Sequence, residues 1–323
     1  MPISLLLVLA GLALLIIGGE ILLRGAVGLA SYFKLAPAII GLTVVAAGTS
    51  VPELSVSLLA ALHGKTDIAI GNVVGSNIFN IAAILGTVAI YKSLTISGNT
   101  IRLEYPFLLL ITAGYIFLSY DGSISRFNAF FFIVTYIGFT YFLVKKVGKQ
   151  LNPIESQEFS DEVANMQLST IDRARELGLP ILLTTAGVAL LGFGADLTVD
   201  GAVDLGKKLG MSERLIGLTI IGAGTGLPEL ITSLVSSYRG RNDVAIANVI
   251  GSNLFNILGI LGISALVSPL AVAPEIINSD NWWMLAATIL MFPVLKSGLS
   301  ISRREGIFLL CFYLAYLTKL IVS

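Results

Sequence analysis

Ten predominantly apolar stretches run along this chain, at roughly 3–23, 36–62, 68–91, 102–120, 127–145, 179–200, 213–237, 244–267, 278–296 and 305–321. Each is close to the ~20 residues that a helix needs to cross a bilayer core. A soluble domain can bury one or two such stretches, not ten. The pattern therefore predicts an all-α polytopic membrane protein with ten transmembrane helices. The first stretch opens at Ile3 with no basic run before it and is followed by nine more, so it reads as a membrane helix and not as a cleaved signal. Only one polar stretch has any size. Lys145 to Glu176 carries Lys145, Lys146 and Lys149, then Glu155, Glu158, Asp161 and Glu162, then Arg173 and Arg175. It predicts a solvated connector over 146–178, too short for a folded domain, between units 1–145 and 179–323.

The two units repeat one another. Gly41 to Leu54 reads GLTVVAAGTSVPEL and Gly217 to Leu230 reads GLTIIGAGTGLPEL, identical at nine of fourteen positions. At the same offset of 176 residues, Gly71 to Ile81 (GNVVGSNIFNI) matches Ala247 to Ile257 (ANVIGSNLFNI). Two motifs recurring in order at one offset mark an internal duplication. Each half has five spans, an odd number, so the second half must cross the membrane upside down. The expected architecture is two inverted five-helix repeats, a plan that places substrate near the midplane where the repeats meet.

Basic residues set the orientation. With the N-terminus outside, fourteen of the twenty fall in inner loops, among them Arg24, Lys34, Lys92, Arg102, Lys145, Lys146, Arg239, Arg241, Arg303 and Arg304. Lys65, Arg126, Lys207, Lys208, Arg214 and Lys319 fall outside. This bias predicts N- and C-termini outside and the central loop in the cytoplasm, in a plasma or inner membrane.

Two carboxylates break the apolar pattern. Glu53 and Glu229 lie near the middle of their spans, where an ionisable side chain costs about 3 kcal/mol on insertion scales and points to function. Each follows a proline, Pro52 or Pro228, which crowds the carbonyl of Gly48 or Gly224 four residues back. Thr49 and Glu53 are spaced i, i+4 and share a helix face, as do Thr225 and Glu229. The next helix of each half supplies Ser76 with Asn80, and Ser252 with Asn256, at the same spacing. Carboxylates, hydroxyls, amide oxygens and backbone carbonyls form an all-oxygen set that suits Ca²⁺ or Na⁺ and not zinc or copper. Gly75, Gly251, Ser57 and Ser233 read equally well as helix-packing residues. Asn77 and Asn253, on another face, equally suit bonds to neighbouring helices. Asp67 and Asp243 read as acids at helix N-termini.

Composition narrows the function. The chain is 55% hydrophobic and 12% charged, with zero net charge and no basic tract to bind nucleic acid. The single cysteine, Cys311, leaves no disulfide framework or cysteine metal site. The one histidine, His63, falls in a loop, with no HExxH and no paired aspartates in the spans, which argues against an intramembrane enzyme. No catalytic residue, cofactor or obligate protein partner is expected. The partners are Ca²⁺ and Na⁺ ions and the lipid bilayer.

The pair GTSVPE and GSNIFN, repeated as GTGLPE and GSNLFN, resembles the two alpha-repeats of the sodium/calcium exchanger family, within the cation/calcium antiporter superfamily. The likeness covers the ten-helix plan. It implies a secondary antiporter exchanging Ca²⁺ for Na⁺ by alternating access. By position it implies cation contacts from Thr49, Ser50, Glu53, Ser76 and Asn80, and from Thr225, Glu229, Ser252 and Asn256, with backbone carbonyls of Ala46 and Gly222. It also implies that helices 1 and 6 move against a core of helices 2–5 and 7–10. The glycines Gly11, Gly18, Gly19, Gly187, Gly192 and Gly194 are compatible with that. Two departures stand out. Gly226 replaces the hydroxyl of Ser50, and Asn80 and Asn256 are both neutral where some members carry an aspartate. The alternatives are a proton/calcium or K⁺-dependent sodium/calcium exchanger of the same superfamily and, less favoured, a cation channel.

Overall fold

The structure, a computed structural model, describes residues 2–33, 35–95, 100–147, 177–210, 224–296 and 300–322. The first repeat comprises α1 (Pro2–Phe33), α2 (Pro37–Thr49), α3 (Val51–Leu62), α4 (Thr66–Tyr91), α5 (Tyr105–Ser119) and α6 (Arg126–Lys145). The second comprises α7 (Gly178–Lys208), α8 (Leu227–Tyr238), α9 (Asn242–Val267), α10 (Asn281–Lys296) and α11 (Arg303–Val322). Each of the ten predicted spans thus coincides with helix in its described part. Among the described residues six helices are long and apolar enough to cross a membrane, and the bent pair α2–α3 makes a seventh. Helices α5 and α10 are shorter because each follows a π-helical turn, Thr100–Glu104 and Ile276–Asp280. The start of the seventh predicted span and the connector centred on 148–176 lie outside the described residues.

Two helices outrun their predicted spans. Helix α1 continues about three turns past position 23, since no breaker intervenes before Pro37 and Arg24 pairs with Glu20 one turn back at 3.1 Å. Helix α7 likewise runs on to Lys208, whose Nζ bonds Asp204 at 2.5 Å and Ser4 of α1 at 3.0 Å.

Inversion of the repeats is visible in four short strands, β1 (Leu94–Thr95), β2 (Ser123–Ile124), β3 (Leu270–Ala271) and β4 (Ser300–Ile301). Strands β1 and β2 flank α5, and β3 and β4 flank its counterpart α10. Leu94 pairs with Ile301 and Ser123 with Ala271, so β1 joins β4 and β2 joins β3. The start of α5 therefore lies beside the end of α10. The matched helices run antiparallel, as an inverted repeat demands.

Helices α4 and α9 form the centre. In each, 83% of the apolar window is buried, against 28% for α1 and 33% for α7. Helix α9 docks on α2 at Gly251, where an added Cβ would sit 2.2 Å from the Leu42 carbonyl oxygen. Gly251→Ala should therefore cost about 1–3 kcal/mol or more through overpacking against backbone that cannot move aside. Thermal unfolding in detergent measures it, with Gly138→Ala, which meets nothing within 4 Å, as the neutral control. An unshifted Gly251→Ala melting curve would refute the tight docking.

Helices α1 and α7 form an outer pair, and their glycines pack the two helices together, one of the two roles that the sequence allows them. Gly11 and Gly18 meet the Gly194 and Gly187 backbone, Gly25 meets Thr184, and Gly201 meets Ser4. The glycines, seven residues apart on each helix, close the pair on itself antiparallel. Only Gly19, against Ile231 and Val235 of α8, faces the core, and Gly192 touches nothing within 4 Å.

Candidate cation site

Both duplicated motifs break the helix at the same backbone conformation. Ser50 has φ −85° and ψ 14°, Gly226 has φ −85° and ψ 3°, and α2 and α3 meet there at 48°. Pro52 and Pro228 fall in the first turn of the new helices α3 and α8, where a missing N–H leaves no bond unmade. The prolines therefore start helices and do not kink continuous ones. The break also places Glu53 and Glu229 in those first turns, where the positive end of the helix dipole favours a carboxylate. Both side chains are 1% exposed.

The repeats meet through these groups. Ser50 Oγ donates to Glu229 Oε1 at 2.9 Å, from one repeat to the other. Thr49 Oγ1 lies 3.2 Å from the Ala46 carbonyl and 3.4 Å from Asn248 Oδ1. The Ala46 carbonyl also accepts the Ser50 N–H at 3.1 Å. Thr225 is half-buried, Ser76 and Ser252 are buried, and Gly222 lies outside the described residues.

Asn80 and Asn256 sit in matched π-helical turns, Phe79–Ile84 and Phe255–Ile260. Such turns are frequent at functional sites because the extra residue re-aims side chains. Their amide nitrogens are consumed across the repeat interface: Asn80 Nδ2 donates to Asn253 Oδ1 and Asn256 Nδ2 to Asn77 Oδ1, both at 3.0 Å. Asn77 Nδ2 in turn donates to the Asn253 carbonyl at 3.4 Å and Asn253 Nδ2 to the Asn77 carbonyl at 3.3 Å. This reciprocal square turns the carbonyl end of each outer amide away from its partners. In the sequence Asn77 and Asn253, next to the site but on another face, equally suit bonds to neighbouring helices. They do bond a neighbouring helix, and through it they orient two candidate ligands.

What remains unbonded is telling. Among the buried side-chain atoms without a partner are Glu53 Oε2, Glu229 Oε2, Asn80 Oδ1, Asn256 Oδ1 and Ser252 Oγ. Buried oxygens left unbonded are costly, and a set of them that includes two carboxylates fits a hard cation. Among the described residues no cluster of three or more His, Cys, Asp or Glu occurs, so the neutral oxygens must complete any coordination. Ser57 and Ser233 are structural, as one of their two readings had it: Ser57 Oγ bonds the Ala69 carbonyl at 3.2 Å and Ser233 Oγ the Ala245 carbonyl at 3.5 Å. Asn72, unnoticed in the sequence, braces the Glu53 backbone carbonyl at 3.1 Å. Asp67 and Asp243 lie in the first turns of α4 and α9, as expected of helix-end acids.

The profile described as "Sodium/calcium exchanger protein" matches residues 3–145 and 179–322, nearly all of both repeats. The chain belongs to the sodium/calcium exchanger family. Like its family it is a multi-pass membrane protein. It is 39% identical to the candidate antiporter CaxA of Alkalimonas amylolytica, over 96% of each chain. It is 36% identical to inner membrane protein YrbG of Escherichia coli K12, over 88% of this chain and 86% of that one. The sodium–calcium exchanger NCX_Mj, in a structure soaked with zero Na⁺ and Ca²⁺, superposes with a TM-score of 0.82 at 28% identity, over 98% and 99% of the two chains.

Against the family motif, the departure at Gly226 has a physical partner. A Cβ at Gly226 would lie 2.5 Å from Phe79 Cε1, so the ring occupies the space a second serine would need. The ring packs edge-on against Tyr313 of α11, with centroids 5.4 Å apart.

Proposed function

We propose that the chain is a secondary antiporter that exchanges Ca²⁺ for Na⁺ at this midplane site by alternating access, with no chemical step. The observation that carries the reading is the set of unpartnered buried oxygens from both repeats, with one from each of Glu53 and Glu229 among them. Thr49, Ser50, Glu53, Ser76 and Asn80 act with Thr225, Glu229, Ser252 and Asn256, and with the Ala46 and Gly222 carbonyls, as the ligand set. The two repeats, 1–145 and 179–323, meet at the site. The termini face outward and the 146–178 connector lies in the cytoplasm. The pair α1 and α7, sealed to itself by facing glycines, is suited to shift as one body over the core. Calcium-45 uptake into proteoliposomes tests the reading. Uptake driven by an outward Na⁺ gradient supports it, and uptake driven by a pH gradient alone would replace it with proton exchange.

Charge counting gives a second expectation. With neutral asparagines the ionised site carries −2, which one Ca²⁺ or two Na⁺ would cancel. The neutral oxygens can hold a third Na⁺, leaving one positive charge on the loaded carrier. Exchange then couples to voltage by about 2.3 kcal/mol per 100 mV. Inside-negative potential should drive Ca²⁺ out of a cell facing high Na⁺. Flux in vesicles clamped with valinomycin and K⁺ decides it, and indifference to potential would mean two sodium ions.

A further inference from the structure

A groove of about 730 Å³ opens between α1 and α8, and none of the candidate cation ligands lines it. Ile16, Ile17, Ile21, Ile231, Leu234 and Val235 line its length. Ile16 and Ile17 are half exposed, on a surface that the bilayer must cover. One end is different. Arg24 and Arg239 converge there on the single carboxylate of Glu20, at 3.1 and 2.8 Å, leaving one net positive charge. Their bonds to Glu20 use two nitrogens on each guanidinium, which carries five N–H donors. Tyr91 and Tyr238 stand exposed beside them, the Tyr238 ring 5.9 Å from the Arg239 guanidinium. Arg239 follows Glu229 by ten residues, which puts this end roughly 15 Å from the midplane, at headgroup depth.

We propose that this groove is a binding site for one anionic phospholipid, with its phosphate held by Arg24 and Arg239 and an acyl chain laid along the isoleucine-lined trough. The shape selects a chain that lies in the membrane, and the shared carboxylate holds both guanidinium forks toward the headgroup. A zwitterionic lipid fills the trough equally well but forgoes the net charge. In the orientation proposed above, the lipid belongs to the cytoplasmic leaflet, where anionic headgroups concentrate. Because the groove spans the contact between α1 and α8, a bound lipid bridges the outer helix pair and the core. The inference rests on membrane placement and on the orientation proposed above, not on which ions are exchanged.

Titration of the purified full-length protein in detergent with phosphatidylglycerol or phosphatidylcholine, read by native mass spectrometry, tests it. One phosphatidylglycerol should bind in preference to phosphatidylcholine. Arg24→Gln, at an exposed position that leaves the Glu20–Arg239 pair intact, should weaken phosphatidylglycerol binding about fivefold, and the double variant with Arg239→Gln should show no preference. Ile17→Trp, which plugs the trough and keeps both charges, should lose both lipids. Equal binding of the two lipids by the unaltered protein would overturn the proposal. So would undiminished preference in the double variant, or a stoichiometric second polypeptide on this face that lipid does not displace.

Discussion

Glu53→Gln and Glu229→Gln each abolish Ca²⁺ transport while leaving the protein at least as stable as before. The two halves of this expectation have one cause. A carboxylate at the centre of a bilayer-spanning helix costs about 3 kcal/mol, and both side chains here are 1% exposed. Neither carboxylate forms an ion pair among the described residues, so only the helix dipole, worth about 0.3–1 kcal/mol, sets their charge against the cost of burying it. Ser50 bonds Glu229 Oε1 at 2.9 Å, a contact an amide oxygen can keep. Glutamine preserves the volume and the first-turn position and removes half of the site's formal charge. A divalent cation depends on that charge far more than on shape. Calcium-45 flux should fall to the protein-free background, and the melting temperature should hold or rise. Near-normal exchange in either variant would remove that residue from the site. Lost folding in both would make the carboxylates structural, the opposite of their assignment.

These two residues were legible in the sequence because they break a pattern. An acid within an apolar span stands out against its own helix, and the 176-residue offset shows it twice. The repeat itself also gave the inversion, since five helices per half leave no other topology; the β1–β4 and β2–β3 pairings show its result. What did not show was everything that depends on which helix lies opposite. The seven-residue spacing of Gly11, Gly18 and Gly25 was present in the chain, but only the fold pairs it with α7. Gly226 was visible as a missing hydroxyl, while its cause, the Phe79 ring, lies in the other repeat. The helix break was hidden in a similar way. The sequence shows Pro52 crowding the Gly48 carbonyl, but that Pro52 sits where a new helix begins depends on the backbone of Ser50.

Asn77 and Asn253 carry a large effect beyond the helix bonding that the sequence suggests for them. Each accepts the amide of the other repeat's ligand, Asn256 or Asn80, at 3.0 Å. An asparagine amide presents either a carbonyl oxygen or an NH₂ to a cation, and only the oxygen can bind one. The orientation is fixed by what the nitrogen finds to bond. Removing that acceptor in Asn253→Ala frees the Asn80 amide to rotate and turn its NH₂ toward the ion. Loss of a group that orients a metal ligand typically costs 10–100-fold in affinity. The same range is expected here for Ca²⁺, with a smaller effect on maximal rate at saturating Ca²⁺ than on half-saturation. Asn77→Ala should do the same through Asn256. Asn253→Asp discriminates this from a packing defect: a carboxylate still accepts from the Asn80 amide, so the oxygen-inward orientation survives. Lacking the Nδ2 donor, it forfeits the bond to the Asn77 carbonyl, and its added negative charge can only strengthen attraction for Ca²⁺. Half-saturation for Ca²⁺ in Asn253→Asp should therefore lie much nearer the unaltered protein than in Asn253→Ala. If both variants shift half-saturation equally, or if Asn253→Ala leaves it unchanged, the asparagine square does not position the ligands.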